Sequence, residues 1–128
     1  MSHKKTSNGR ETAAIRCQSS QTHNREHSVP LYLTSSFTFD TAEQARALFA
    51  QEEEGNIYSR FTNPNTAEFA EKVAALEETD TGISTASGMS AVFTTFAALL
   101  EAGDEILSAR SIFGSTHKVL TQLLPKWN

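Results

Sequence analysis

A single cysteine, Cys17, is all the thiol that this chain of 128 residues carries. No internal disulfide can form, so the fold rests on packing and hydrogen bonds, and a reducing compartment fits. The thiol reads more simply as a small surface or buried residue than as a reactive one. Basic runs are missing too: nothing exceeds Lys4-Lys5, and the formal charge is −4. That speaks against nucleic acid or an anionic membrane surface as a partner. The longest apolar run, "AVFTTFAALL", is about half of the roughly 20 residues a membrane-spanning helix needs. The N-terminal "MSHKKTSNGRET" holds no apolar h-region, which excludes a secretory signal. Metal-ligand clusters are also lacking. His23 and His27 are four apart, the spacing of two ligands on one helix face, but no third ligand accompanies them. These exclusions leave a soluble cytoplasmic protein with no metal, no membrane and no nucleic acid.

What is present can build a core. Hydrophobic residues make up 38%, with eight Phe and one Trp, and the length suits one domain. Residues 1–28 are polar and lack an apolar period, except for a turn or two of helix around "ETAAIRC". They form either a disordered segment or an arm lying on something else. "VPLYLTSSFTFDT" alternates apolar and polar residues around Phe37 and Phe39, the pattern of an extended stretch. "DTAE" follows, with Asp40 as N-cap and Glu43 completing a capping box. The helix beyond it carries Ala42, Ala45, Leu48 and Phe49 on one face. It ends near "EEEG", with Gly55 at C′ and three glutamates as a solvated face.

Asn63 caps the next helix, with Pro64 at N1, where its missing N–H costs nothing. Phe69, Val73 and Leu76 form a stripe toward a core. "GISTASGMSAVFTTFAALLEAGDEILSAR" then predicts a strand from Gly82 to Ala86 and a tight Ser87-Gly88 turn. A helix from Met89 to Glu101 follows, with Met89, Val92, Phe93, Phe96 and Leu100 on its buried side. Gly103-Asp104 ends it, and "EILSA" is a second strand. Such a unit implies parallel strands and a right-handed crossover. A third helix spans Ser115 to Leu124. Two strands cannot make the covered parallel sheet this pattern announces. The expected architecture is therefore α/β, the opening third of a larger enzyme: an arm and helix, then the start of a mainly parallel sheet flanked by helices.

Two places could hold an anion. In "GNIYSRFTNPNT", an extended course would put Tyr58 and Arg60 on one side, offering a hydroxyl and a planar five-donor fork that matches phosphate or carboxylate. The alternative is an exposed strand whose Tyr packs and whose Arg is solvated. The second place is the turn at Ser87-Gly88-Met89, between a strand end and a helix start. Amides are unpaired there, the helix dipole favours an anion, and Gly88 lets a ligand approach the backbone. Ordinary strand-to-helix turns also use Ser and Gly. The position is nevertheless where open α/β sheets bind ligands.

Together "YSRFTNPNT", "ASGMSAV" and "ARSIFGST" resemble the N-terminal part of the Cys/Met-metabolism family of pyridoxal-phosphate enzymes. That family includes cystathionine γ-synthase and the lyases, methionine γ-lyase and the homoserine-ester sulfhydrylases. The likeness extends from Glu11 onward and includes "VPLYLTSSFTFDT". It implies an aspartate-aminotransferase-like, fold type I enzyme. Residues 1–62 would form the arm and dimer contact, and residues 63–128 the first part of the cofactor domain. By this resemblance Tyr58 and Arg60 bind the phosphate of pyridoxal 5'-phosphate in the neighbouring subunit, while Gly88 and Met89 hold it with backbone amides and Ser87 stands beside them. Phe113 falls where many members stack a tyrosine on the pyridine ring. Phe keeps the stacking face and loses the phenol, as in sulfhydrylases acting on O-succinyl- or O-acetylhomoserine.

The resemblance also places the family's Schiff-base lysine, its acidic partner to the pyridine nitrogen and its substrate-carboxylate arginine beyond residue 128. None of Lys4, Lys5, Lys72, Lys118 or Lys126 sits in a comparable motif. No catalytic residue lies within the chain on this reading, apart from Tyr58 as a candidate for proton transfer. The implied activity is γ-replacement on an O-acylhomoserine by sulfide or a thiol, in sulfur amino-acid biosynthesis, by a cytoplasmic homotetramer whose active sites are shared across a dimer interface. Methionine γ-elimination, or cystathionine synthesis or cleavage, is the alternative within the family. A truncated, non-catalytic assembly module is the alternative of another class.

Overall fold

Helix ends and backbone turns dictate most of the local structure. The computed structural model describes residues 9–17 and 21–128; residues 1–8, with the Lys4-Lys5 run, and residues 18–20 lie outside them. The chain divides into two units, Met1–Ser84 and Thr85–Asn128.

In the first unit, α1 (Arg10–Arg16) bears out the turn or two around "ETAAIRC". It lies on α3 (Pro64–Glu77). Arg10 Nη2 donates to the Leu76 carbonyl at 2.7 Å, one of the four carbonyls that a helix end leaves without an internal partner. Cys17 is half-buried, its Sγ 3.9 Å from the Glu71 carbonyl oxygen.

The α2 helix (Ala42–Phe49) corrects the expected capping by one residue. Thr41, not Asp40, is the N-cap: its Oγ1 accepts from Gln44 N at 3.0 Å, while Gln44 Oε1 accepts from Asp40 N at 2.8 Å. Glu43 turns instead to Arg46, at 2.8 Å. The C-terminal end is also re-read. Gln51, at φ 58°, takes the left-handed position. Glu52 N then donates to Ala47 O and Gln51 N to Leu48 O, the paired bonds of a Schellman ending. Gly55 serves close approach rather than φ: a Cβ there would lie 2.7 Å from Leu48 Cδ2. Leu48 is buried beneath it. The three glutamates are exposed, and Glu52 clamps the Arg46 guanidinium at 2.7 and 3.1 Å. Those bonds hold the Glu52 carboxyl below its ordinary range and raise Arg46.

Asn63 caps α3 as expected, Oδ1 accepting from Asn65 N at 2.9 Å, with Pro64 in the first turn. The apolar stripe does not face a core. Phe69 and Val73 remain 61% and 41% exposed, whereas Ala70 and Ala74 are buried. Small residues won that face because they admit backbone: a Cβ on Gly82 would stand 3.0 Å from the Ala70 carbonyl. Glu68 is buried with them and pairs with Lys72 one turn on.

In the second unit, α4 (Gly88–Leu99) is capped by Ser87. Its half-buried positions include Met89, Val92, Phe93 and Phe96, followed by Leu100 at the C-cap, the face the sequence marks as the inner one. Phe93 meets Trp127 edge-on at 5.9 Å, and Met89 Sδ lies 4.0 Å from Thr116 Oγ1. Gly103 turns the chain at φ 101°, a region closed to most side chains. The third helix is α5 (Gly114–Lys118), continuing as a π turn (Val119–Leu123) and a 3-10 turn (Leu124–Trp127). Pro125 has no N–H to give Thr121, so the regular ladder cannot run on.

The parallel sheet is not shown. Residues 82–86 and 105–109 form no ladder among the described residues, where the only bridge is antiparallel, Ser36 to Tyr58. A ladder needs a neighbour on at least one side, and here the stretches stand open: Ile83 is 89% exposed and Leu107 fully so. No helix among the described residues is long and apolar enough to cross a membrane.

Candidate functional site

Tyr58 and Arg60 belong to the first unit, and they meet by a different route from the one expected. Residues 58–61 form a tight turn, with the Tyr58 carbonyl accepting from Phe61 N at 2.8 Å and Thr62 N at 3.0 Å. The extended alternation that would align positions i and i+2 is therefore absent. Instead the Arg60 guanidinium lies over two rings, 5.0 Å from the Tyr58 centroid and 5.3 Å from that of Phe61. Each such contact is worth about 0.5–1 kcal/mol at an exposed site. Phe61 was not singled out in the sequence. Its signal was adjacency to Arg60 within a turn-prone Ser-Arg-Phe-Thr-Asn-Pro run.

Among the described residues, neither the Arg60 guanidinium nor the Tyr58 hydroxyl has a hydrogen-bond or ion-pair partner. The five guanidinium donors and the phenol thus stand available to an external anion. The turn beneath them is held firmly. Ser59, between the two, donates its amide to Ser35 O at 2.9 Å and its hydroxyl to Thr34 O. Asn63, only 7% exposed, donates to both Tyr32 O (3.1 Å) and Ser59 Oγ (3.0 Å).

Ser87, Gly88, Met89 and Phe113 belong to the second unit. Ser87 Oγ accepts from Ser90 N at 3.1 Å and shares a hydrogen bond with Ser90 Oγ at 3.0 Å. The Gly88 and Met89 amides have no acceptor among the described residues, as the first turn of a helix leaves them. Around Gly88 nothing stands within 4 Å of an added Cβ, and its φ is not positive. Two free amides, a hydroxyl and open space at a helix N-terminus fit a phosphate group. Only the Met89 amide takes part in that arrangement, since its side chain packs toward Thr116. The same contact sets the first turn of α5 beside that of α4. Phe113, 71% exposed, begins α5, its carbonyl accepting from His117 N at 3.0 Å. A separate hollow of about 630 Å³, lined by Phe96, Leu100, Ile106, His117 and Trp127, does not include Ser87, Gly88 or Met89.

His23 and His27 stand in irregular backbone, not on one helix face. His27 Nε2 is 3.0 Å from Arg16 Nη1. Glu26 holds the local turn together, its carboxylate accepting from Thr22 N and Oγ1, which keeps its pKa below the ordinary range. No group of three His, Cys, Asp or Glu that could hold a metal ion is found among the described residues.

Comparison with known proteins places the chain in a family. The family model for Cys/Met metabolism PLP-dependent enzymes matches residues 11–128. The O-succinylhomoserine sulfhydrylase of Pseudomonas aeruginosa is 46% identical over 106 residues, 83% of this chain and 26% of that protein. The L-methionine gamma-lyase of Fusobacterium nucleatum subsp. nucleatum is 41% identical over 99 residues, 77% of this chain and 25% of the relative. This chain thus spans about a quarter of the length of the curated relatives it matches. A crystallised Campylobacter jejuni chain, assigned as an O-acetylhomoserine (thiol)-lyase and carrying N'-pyridoxyl-lysine-5'-monophosphate, superposes with a TM-score of 0.88. It is 32% identical, and the match covers 94% of this chain and 30% of that one. The backbone is that of a pyridoxal-phosphate enzyme of the same family, and the chain belongs to the Cys/Met metabolism family of PLP-dependent enzymes.

Proposed function

We propose that this chain is the N-terminal part of a γ-replacement enzyme that joins an O-acylhomoserine, succinyl or acetyl, to sulfide or a thiol. The observation that carries the reading is the start of α4. In a family that depends on pyridoxal phosphate, two amides without acceptors and an open Gly88 await an anion. Bound there, the cofactor supplies an electron sink for charge developing on the amino acid. The protein residues bind and orient it: Gly88 and Met89 through their amides, Ser87 through its hydroxyl, and Phe113 by stacking. Tyr58 and Arg60 take the phosphate of a neighbouring subunit, with Tyr58 the candidate proton carrier. Residues 1–62 then serve as the arm and dimer contact of a cytoplasmic tetramer, and residues 63–128 open the cofactor domain.

The sulfhydrylase assignment draws support from the 46% identity to an O-succinylhomoserine sulfhydrylase and from Phe113. An acyl carboxylate leaves readily, so a phenol donor near the leaving group is dispensable. The 41% identity to a methionine gamma-lyase supports γ-elimination as the second reading. Product analysis on the full-length polypeptide separates the two. Homocysteine from O-succinyl- or O-acetylhomoserine plus sulfide is expected. Release of 2-oxobutyrate from methionine or cystathionine alone, without ester replacement, would replace the first reading by the second.

A further inference from the structure

We infer that Asn63 and Asn65 are positioning residues for the Tyr58/Arg60 pair, acting by tying residues 30–36 to the turn that carries it. The inference rests on the reading of that pair as an anion clamp. A carboxamide carries a donor and an acceptor as a peptide group does, so an Asn side chain can stand in for a neighbouring strand. Tyr32 is treated in that way. Its N–H donates to Asn65 Oδ1 at 2.8 Å, and its carbonyl accepts from Asn63 Nδ2 at 3.1 Å. Asn65 Nδ2 reaches one step further, to Pro30 O at 2.8 Å. From Asn63 the network passes to Ser59 Oγ at 3.0 Å, and Ser59 in turn binds Thr34 O and Ser35 O. Phe37 N to Ile57 O at 3.1 Å closes the pairing.

Ser59 sits between Tyr58 and Arg60. A residue held through both its amide and its hydroxyl fixes the direction in which each flanking side chain leaves the backbone. Capping alone does not explain Asn63. A cap needs the Oδ1 bond to Asn65 N; it requires neither two Nδ2 partners nor near-complete burial. The exposed guanidinium lies over the Tyr58 and Phe61 rings, which meet each other edge-on at 6.5 Å, and the rings are aimed by this turn. The asparagines therefore set the geometry that the clamp presents.

The test is a double-mutant cycle on the full-length protein in its apo form, reading pyridoxal-phosphate affinity by fluorescence titration and folding by thermal melting. Asn63→Ser keeps a capping oxygen and deletes the Nδ2 tether. It should weaken cofactor binding roughly tenfold, as expected when about 1.4 kcal/mol is lost. Combined with Arg60→Ala, it should weaken binding by much less than tenfold, since only the Tyr58 hydroxyl is then left to aim. Losses that simply multiply would overturn the inference, for they would mark Asn63 as a general stabiliser. Wild-type affinity in Asn63→Ser would also overturn it, leaving the clamp intact. Wild-type affinity in Arg60→Ala would remove the clamp itself, and the inference with it. Should Asn63→Ser fail to fold, Asn65→Asp keeps the acceptor for Tyr32 N–H, loses the donor to Pro30 O, and runs through the same cycle.

Discussion

Gly88→Ala separates a ligand's demand for glycine from a fold's demand. In this chain the fold makes none: apart from its chain neighbours and the backbone of its own helix, nothing lies within 4 Å of the added Cβ, and φ is not positive. Replacing Gly by Ala where the backbone already suits it stabilises by about 0.4–1 kcal/mol, mostly by restricting the unfolded chain. The melting temperature of the apo protein should therefore hold or rise. Binding should move the other way. Cα–Cβ bonds in a helix tilt toward the N-terminus, so a methyl at the first position of α4 projects into the space before the free amides. A phosphate oxygen bound there accepts charge-assisted bonds worth roughly 1.5–3 kcal/mol each. Losing one such bond weakens the cofactor by about 10- to 150-fold.

The assay is a pair of measurements on the full-length protein, thermal melting without cofactor and a pyridoxal-phosphate titration. Gly103→Ala is the control. At φ 101° a Cβ is strained whatever binds elsewhere, so this variant should melt lower by about 1–3 kcal/mol in stability. Cofactor affinity unchanged in a stable Gly88→Ala would refute the reasoning, because the open space would then not be where the phosphate sits. A lowered melting point for Gly88→Ala would show instead that unseen chain packs against it.

Three further outcomes are expected. Borohydride reduction of the full-length holoenzyme should fix the pyridoxal to a lysine outside residues 1–128, since Lys72 is engaged by the buried Glu68; an adduct on Lys72 or Lys118 would contradict this. The Glu52 carboxyl, held below its ordinary value of 4.5 by Arg46, contributes stability that is present above that value and lost as pH falls through the lowered one. Glu52→Gln should accordingly flatten the acid side of the melting profile relative to wild type, and an identical acid slope would show that the pair contributes nothing. Phe113→Tyr should leave cofactor affinity nearly unchanged, because either ring stacks, while raising elimination from methionine relative to ester replacement. Loss of replacement with no gain in elimination would make Phe113 a packing residue.

What could be read directly was chemistry settled between near neighbours. Asn63-Pro64 starts α3, and the five residues assigned to the inner face of α4 are the half-buried ones, because spacing along one helix decides both. Where two local solutions overlap, sequence alone does not choose. "DTAE" and "TAEQ" both satisfy the capping pattern; Thr41 and Gln44 prevail because Glu43 is drawn to Arg46. Periodicity likewise shows that α3 has a small-residue face and a Phe69/Val73 face without saying which is covered. Close backbone approach at Gly82 selects the former. The sheet lies at the far end of this scale, since a ladder belongs to its partners as much as to its own residues.

Tyr58 and Arg60 do come together, but not by the geometry that the sequence pattern implies. Alternation would have joined them by pointing both one way, whereas a turn joins them by stacking one over the other. The difference has a consequence for function. An extended pair could be aimed only by the strand beside it. A stacked pair on a turn is aimed by whatever holds the turn, and here that is Ser59 and the two asparagines. In "YSRFTNPNT" the residues proposed to meet an anion and the residues that hold their turn are therefore interleaved, which is the physical reason the stretch reads as one motif.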